Sequence, residues 1–166
     1  MTTLLYFAYG SNMSTPRLQA RVPSAQPVCV ARLHSHQLRF HKHGRDGWAK
    51  CDIAPGVHPD DVVYGVVFEI LTADKPALDH AEGLGKGYEQ KTVMVVNDET
   101  ETLNAFAYYA AHIDATLKPY HWYKEHVLRG ALEHQLPNEY LKTLESIGSQ
   151  PDPDRARHDL ELSIYL

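Results

Sequence analysis

The sequence has few cysteines, no concentration of basic residues and no long apolar run. Its two cysteines, Cys29 and Cys51, are too few for a disulfide framework, and neither has a sequence partner that marks it as a nucleophile. Sixteen Lys and Arg against 21 Asp and Glu give a net charge of −5, which disfavours nucleic-acid binding. No segment approaches the ~20 apolar residues of a membrane span, and the N-terminus lacks a signal-peptide pattern. We therefore expect a cytoplasmic protein with no nucleic-acid or membrane partner.

Length and composition are typical of one folded domain. The 166 residues are 43% hydrophobic and 22% charged, so the chain has enough apolar residues to form a core without disulfides or a metal. We expect a single domain over 1–166, with 148–166 as a loose C-terminal tail. Its polar part, "GSQPDPDRARHD", reads as a linker, and its apolar end, "LELSIYL", is expected to add an edge strand or to dock loosely. A homodimer is a possible assembly.

Apolar periodicity predicts strands in the first two thirds of the chain and helices in the last third, which is an α+β pattern. The expected architecture is a mixed sheet that forms a small barrel with helices at one side. A short strand, "AKCDIAP", is expected inside the loop-rich region 43–59. Strands are also predicted over 3–9, 62–70, 88–96 and 101–111, and 28–41 is expected to form one long strand or two strands. Helices are predicted after Ser14, over 73–82 and within 120–147.

The first strand ends in Tyr9, Gly10, Ser11 and Asn12, and this ending allows two interpretations. Gly tolerates positive φ, and Ser and Asn side chains satisfy local backbone groups, so the stretch is an ordinary turn. Small residues between a strand and a helix can also aim several backbone N–H groups at one carboxylate or oxyanion. The residues of the loop alone leave both interpretations open.

A second stretch, "HAEGLGKGYE" over 80–89, combines a carboxylate with three glycines. It lacks the spacing and the ending of phosphate-binding loops, which disfavours a nucleotide site. Glu82 lies where an apolar helix meets this glycine loop, a position that suits a general acid/base. A solvated glutamate at a helix end is the alternative.

Tyrosine and histidine are both abundant, with ten Tyr against four Phe and eleven His. Buried tyrosines usually pack in the core, but several hydroxyls that converge would line a pocket with polar, uncharged groups. His34 and His36 could share one strand face and hold a metal ion, yet no third ligand follows at a matching spacing. We therefore predict no metal site and favour solvated histidines over 34–43.

Three stretches together resemble the γ-glutamylcyclotransferase family, with its AIG2-like fold: "FAYGSNM", "LDHAEG" after "VVYGVVFEI", and "YKEHVLRGALEHQLPNEYLKTL". They occur in the family's order over residues 6–147. The resemblance implies a small barrel with flanking helices, and release of 5-oxoproline from γ-glutamyl amino acids or amines without a metal or cofactor. It assigns the catalytic role to Glu82. The substrate-binding positions that it implies are Tyr9, Gly10, Ser11, Asn12, Tyr88, Tyr109 and Tyr123.

Three functions stay open on the sequence. The first is a cyclotransferase that acts on small γ-glutamyl compounds, which the loop and Glu82 together favour. The second uses the same ring closure to remove a γ-glutamyl group from a larger amine or from a side-chain ε-amine. The third is a non-catalytic small-molecule or protein-binding domain on the same fold. The segment "HIDATLKPYHWY" indicates no particular leaving group.

Overall fold

A computed structural model of the chain describes residues 2–44 and 46–166. The strands are β1 (Thr3–Ala8), β2 (Gln26–His34), β3 (His36–His43), β4 (Ala49–Pro55), β5 (Val62–Leu71), β6 (Tyr88–Asn97) and β7 (Thr102–Ala110). The helices are α1 (Thr15–Arg21), α2 (Lys75–Glu82), α3 (His121–Glu133), α4 (Asn138–Ser146) and α5 (Arg155–Leu162), with short 3₁₀ helices at Ser11–Met13, Thr72–Asp74 and Ser163–Tyr165. None of the helices in these two ranges has the length and apolar character needed to span a bilayer.

Five strands close into a barrel in the order β1-β5-β2-β6-β7. Neighbouring strands are antiparallel, except that β1 and β7 close the barrel through a parallel pair, Tyr6 opposite Phe106. Strand β5 pairs with both β1 and β2, and Val63, Val66 and Val67 on it are fully buried. This burial explains its nearly continuous apolar sequence. The predicted mixed sheet, small barrel and flanking helices are confirmed.

The remaining strands, β3 and β4, form a separate antiparallel hairpin. Asp52 on β4 fastens the hairpin to the barrel because its Oδ1 accepts a hydrogen bond from the N–H of Ala110 at the end of β7, at 2.8 Å. Its Oδ2 lies 2.7 Å from Nε2 of His41 on β3. One buried carboxylate thus joins both strands of the hairpin to the edge of the barrel.

The predicted segment 28–41 divides into two strands at Ser35, whose φ of 62° turns the chain. His34 therefore ends β2, while His36 begins β3. The expectation that these two histidines share one strand face is wrong, because the turn between them places them on different sheets.

Helix α3 packs closely against the segment that follows β1. A Cβ atom at Gly130 would lie 2.5 Å from the backbone nitrogen of Ser14 and 2.6 Å from Cβ of Met13. Only glycine permits this approach, since any side chain would overlap backbone atoms. Gly130 thereby holds the Ser11–Met13 helix in place, with Met13 fully buried beneath it.

The C-terminal segment differs from the loose tail and edge strand that we expected. It forms α5 and a 3₁₀ helix, and these dock on α1 and α3. Nη1 of Arg17 donates to Oε2 of Glu161 at 2.6 Å, and the Tyr165 hydroxyl lies 2.6 Å from Nδ1 of His126. The polar composition suggested solvation, but these polar groups bind partners more than 30 residues away in sequence. Local composition does not reveal such partners.

Asp152 anchors the start of this segment, and its side chain is completely buried. It accepts hydrogen bonds from the indole N–H of Trp122 at 2.8 Å and from Nη2 of Arg157 at 2.7 Å. Hydrogen bonding to the Arg157 guanidinium lowers the pKa of Asp152 to about 2. An unfolded Asp has a pKa of about 3.9. The carboxylate therefore stabilises the fold above about pH 4, and this contribution is lost as the pH falls toward 2.

We predict that Asp152→Asn lowers the free energy of unfolding at pH 7 by about 1–3 kcal/mol, because buried charge-assisted hydrogen bonds are lost. The difference from the wild type should shrink between pH 4 and pH 3. Urea denaturation from pH 7 to pH 3 measures it, with Asp159→Asn on the exposed surface of α5 as the control. A difference that stays constant over this range would contradict the assignment.

Candidate active site

The loop after β1 and the end of α2 meet through one short hydrogen bond. Nδ2 of Asn12 donates to Oε1 of Glu82 at 2.6 Å, and it lies 3.1 Å from the hydroxyl of Tyr6. Gly83, with φ of 70° in the left-handed region, ends α2 immediately after Glu82, as predicted. The helix therefore presents this carboxylate at its last residue, against a loop 70 residues earlier in the sequence.

Glu82 is held through one oxygen only. Nη1 of Arg21, at the end of α1, lies 3.7 Å from Oε1 of Glu82 and 3.5 Å from Oδ1 of Asn12. The other oxygen, Oε2, makes no hydrogen bond to any residue in 2–44 or 46–166. The side chain is 15% exposed, so this free oxygen is available to accept a proton in a largely desolvated place. No sequence motif marks Arg21, apart from its position at the end of the helix that follows the loop.

The loop offers hydrogen-bond donors close to this carboxylate. The first backbone bond of the 3₁₀ helix joins the N–H of Met13 to the carbonyl of Gly10 at 3.1 Å. The N–H groups of Ser11 and Asn12 precede that bond and have no acceptor within the helix. The Ser11 hydroxyl also has no hydrogen-bond partner among the described residues, although the residue is buried. These groups are the donors that an anion would need.

Two tyrosine hydroxyls form hydrogen bonds with the backbone of Cys51 on β4. The N–H of Cys51 donates to the hydroxyl of Tyr123 at 3.0 Å, and the hydroxyl of Tyr88 donates to the carbonyl of Cys51 at 2.6 Å. An edge strand leaves such backbone groups without strand partners, so side chains must satisfy them when they are buried. Burial raises the pKa of both tyrosines well above the ordinary value, which keeps their hydroxyls neutral.

All but one of the predicted site residues line a common inner cavity. The lining residues are Tyr6, Tyr9, Gly10, Ser11, Asn12, Cys51, Glu82, Tyr88, Tyr108 and Tyr123. The cavity measures about 20 Å³, which is room for one water molecule. A substrate that enters it must therefore displace side chains of its wall.

Tyr109 is the exception, and the structure brings Tyr108 into the cavity instead. Successive residues of a strand point to opposite faces, so only one of two adjacent tyrosines on β7 can face inward. The ring of Tyr109 packs 5.4 Å from Nζ of Lys91, while the hydroxyl of Tyr108 donates to Oδ1 of Asp79 at 2.6 Å. The structure therefore brings Tyr108, and not Tyr109, to the inner cavity with the other predicted site residues.

Glu82 also lines a second, outer cleft of about 700 Å³. The hairpin contributes Lys42, Trp48 and Lys50 to its wall, and α5 contributes Arg157 at its rim. Sequence reasoning did not identify these residues, because the hairpin region carries no recognisable motif. Within the described ranges, no group of three or more His, Cys, Asp or Glu side chains is placed to hold a metal ion.

The AIG2-like family model matches residues 62–144, and the five-stranded barrel to which they contribute belongs to the AIG2-like class. The chain is 32% identical over 163 residues to γ-glutamylcyclotransferase from Homo sapiens, which covers 96% of this chain and 86% of the relative. The Mus musculus γ-glutamylcyclotransferase is 34% identical over 149 residues, covering 87% and 79%. A solved γ-glutamyl cyclotransferase structure has a TM-score of 0.86 at 30% identity, covering 96% of this chain and 98% of that chain. The chain belongs to the γ-glutamylcyclotransferase family, which the three sequence motifs indicated.

We predict that Tyr123→Phe and Tyr88→Phe each lower the free energy of unfolding by about 1–3 kcal/mol, because each leaves a buried backbone group of Cys51 without a partner. Tyr109→Phe is the matched control, since its hydroxyl has no hydrogen-bond partner among the described residues. Urea denaturation of the three variants measures the effect. Equal stability of all three would show that the hydroxyls do not satisfy the edge of β4.

Proposed function

We propose that this chain releases 5-oxoproline from γ-glutamyl amino acids or related γ-glutamyl amines, in the cytoplasm, by attack of the substrate's α-amine on its own γ-carbonyl. The observation that carries the proposal is the 2.6 Å hydrogen bond from Asn12 to Glu82. It brings a potential general base and a loop with free donors to the same cavity. Membership in a family of enzymes agrees with this chemistry.

Glu82 serves as the base and then as the acid. Its free Oε2 takes one proton from the α-ammonium, and the resulting amine attacks the γ-carbonyl carbon. The C–N bond to the leaving amine then breaks as Glu82 returns the proton to the departing nitrogen. The ring nitrogen also gives up its second proton, which passes to the departing amine, so that the lactam keeps one N–H and the amine leaves as an ammonium ion. The reaction thus consumes no water and needs no external nucleophile.

Tethering supplies much of the rate acceleration. The attacking nitrogen and the carbonyl carbon belong to one molecule, and alignment of tethered groups is worth about 7–11 kcal/mol. The protein then has to hold the glutamyl group in a ring-like conformation and move protons. A cavity lined by neutral tyrosines suits this task, because it offers hydrogen bonds without a charge that would compete with Glu82.

The loop stabilises negative charge in this scheme. The N–H groups of Ser11 and Asn12 bind the substrate carboxylate or the oxyanion that forms on the γ-carbonyl, and loss of one such donor costs about 2.7–4 kcal/mol in other enzymes. Arg21 adds a positive charge behind Glu82 and Asn12. It acts on the reaction through these two side chains.

The size of the outer cleft supports a second candidate with the same chemistry. About 700 Å³ beside Glu82 accommodates a leaving group larger than one amino acid. Removal of a γ-glutamyl group from a larger amine would use the same base and the same loop. The two candidates differ only in what occupies this cleft.

We predict that Glu82→Gln reduces 5-oxoproline release by a factor of about 10²–10⁴, because the amide cannot accept the proton. The change preserves shape, so the unfolding transition should stay close to that of the wild type. Chromatographic quantification of 5-oxoproline from a panel of γ-glutamyl amino acids and amines measures activity.

Glu89→Gln is the control, since Glu89 is exposed on β6 and lies outside both cavities. This variant should retain the wild-type rate. Full activity in Glu82→Gln would remove Glu82 from the mechanism, and absence of 5-oxoproline from the wild type across the panel would favour a binding domain.

A further inference from the structure

The hairpin contains a β-bulge that places two lysines opposite each other. Phe40 pairs with Cys51, but the next pair is Lys42 with Lys50, so His41 is an extra residue on β3. In regular pairing His41 would face Lys50. The 2.7 Å contact between Nε2 of His41 and Oδ2 of Asp52 holds the bulge in this form. Both lysine side chains therefore lie on the same face of the hairpin, in the wall of the outer cleft.

This arrangement brings two positively charged side chains close together. Like charges directly opposite on adjacent strands repel each other, and both side chains are largely removed from water. Burial lowers the pKa of Lys50 to about 8, while the charge of Glu82 acts in the opposite direction, so the ammonium is mostly protonated at pH 7. A β-bulge that re-aims side chains beside a carboxylate is common next to active sites.

None of the described carboxylates of the outer cleft forms an ion pair with Lys50, although the charge of Glu82 acts on it. Asp46 pairs with Arg157 at 2.7 Å, and Asp79 pairs with Lys75 at 2.7 Å. Glu82 is bound by Asn12 and lies 3.7 Å from Arg21. Nζ of Lys50 lies 5.2 Å from the centre of the Trp48 ring and forms no ion pair with any residue that the structure describes. The wall thus presents a positive charge to whatever occupies the cleft.

The proposed reaction defines which part of the substrate reaches this wall. Glu82 lines both cavities, and it must contact the attacking nitrogen and the departing nitrogen in turn. With the glutamyl group at the loop, the substituent on the departing nitrogen extends into the outer cleft. That substituent carries a carboxylate when the leaving group is an amino acid or a peptide, and carries none when it is a simple amine.

We propose that Lys50, with Lys42 beside it, determines specificity by binding a carboxylate of the departing amine, so that substrates that release an amino acid or a peptide are preferred over simple γ-glutamyl amines. The inference rests on the proposed function and adds the chemical class of the leaving group. Lys50 acts as a binding residue here and takes no part in proton transfer.

The test compares γ-glutamylglycine with γ-glutamylglycinamide, which differ only in the leaving group's carboxylate. Lys50→Met should lower kcat/KM for γ-glutamylglycine by about 10- to 100-fold, as expected for loss of a charge-assisted contact, and leave the glycinamide within about twofold. Unchanged turnover of the glycinamide also shows that the variant is folded. Lys50→Arg should keep most of the preference because it keeps the charge.

Lys86→Met is the matched control, since Lys86 is an exposed lysine of the same cleft. This variant should leave the ratio of the kcat/KM values for the two substrates unchanged. If Lys50→Met lowers kcat/KM equally for both substrates, or for neither, the inference is overturned. The proposed function is still supported in that case, as long as the wild type releases 5-oxoproline. No 5-oxoproline from either substrate with the wild type would instead contradict the proposed function, and the inference with it.

Discussion

The hydrogen bond between Asn12 and Glu82 is the interaction on which the rest of the site depends. It joins the loop after β1 to the last residue of α2, and each side is fixed by a glycine. Gly130 lets α3 press against the chain that follows the loop, and Gly83 ends α2 so that Glu82 faces that loop. Without this contact the carboxylate and the backbone donors would belong to separate surfaces. With it, the carboxylate and the backbone donors lie at one cavity.

The hairpin of β3 and β4 gives the two cavities their different character. One residue of β4, Cys51, faces the inner cavity, where tyrosine hydroxyls satisfy its backbone and contribute no charge. Its neighbour Lys50 faces the outer cleft, where the bulge at His41 places Lys42 beside it. Strand alternation thus separates an uncharged wall of the inner cavity from a positively charged wall of the outer cleft.

Local signals in the sequence were sufficient for part of this structure. The barrel strands, the end of α2 at Gly83 and the loop before Asn12 follow from apolar runs and turn residues. The family resemblance added the expectation that Glu82 is catalytic. Whether Tyr108 or Tyr109 faces the cavity depends on which residues of β7 point into the barrel. A run of apolar residues does not show this, because it has no alternation between polar and apolar positions. Other features depend on long-range partners that no short window contains: the bulge held by Asp52, and the C-terminal helix held by buried polar contacts.

A crystal structure of Glu82→Gln with γ-glutamylglycine bound tests the central claim most directly. It would show whether the loop binds the γ-glutamyl group and whether the side chain at position 82 faces that group. We expect the substrate's α-nitrogen within about 3.2 Å of a side-chain heteroatom at position 82, which is hydrogen-bond distance. We also expect an oxygen of the substrate at the N–H groups of Ser11 and Asn12, and the glycine portion in the outer cleft. A glutamyl group bound away from the loop, with its α-nitrogen out of reach of position 82, would contradict the proposed ring closure.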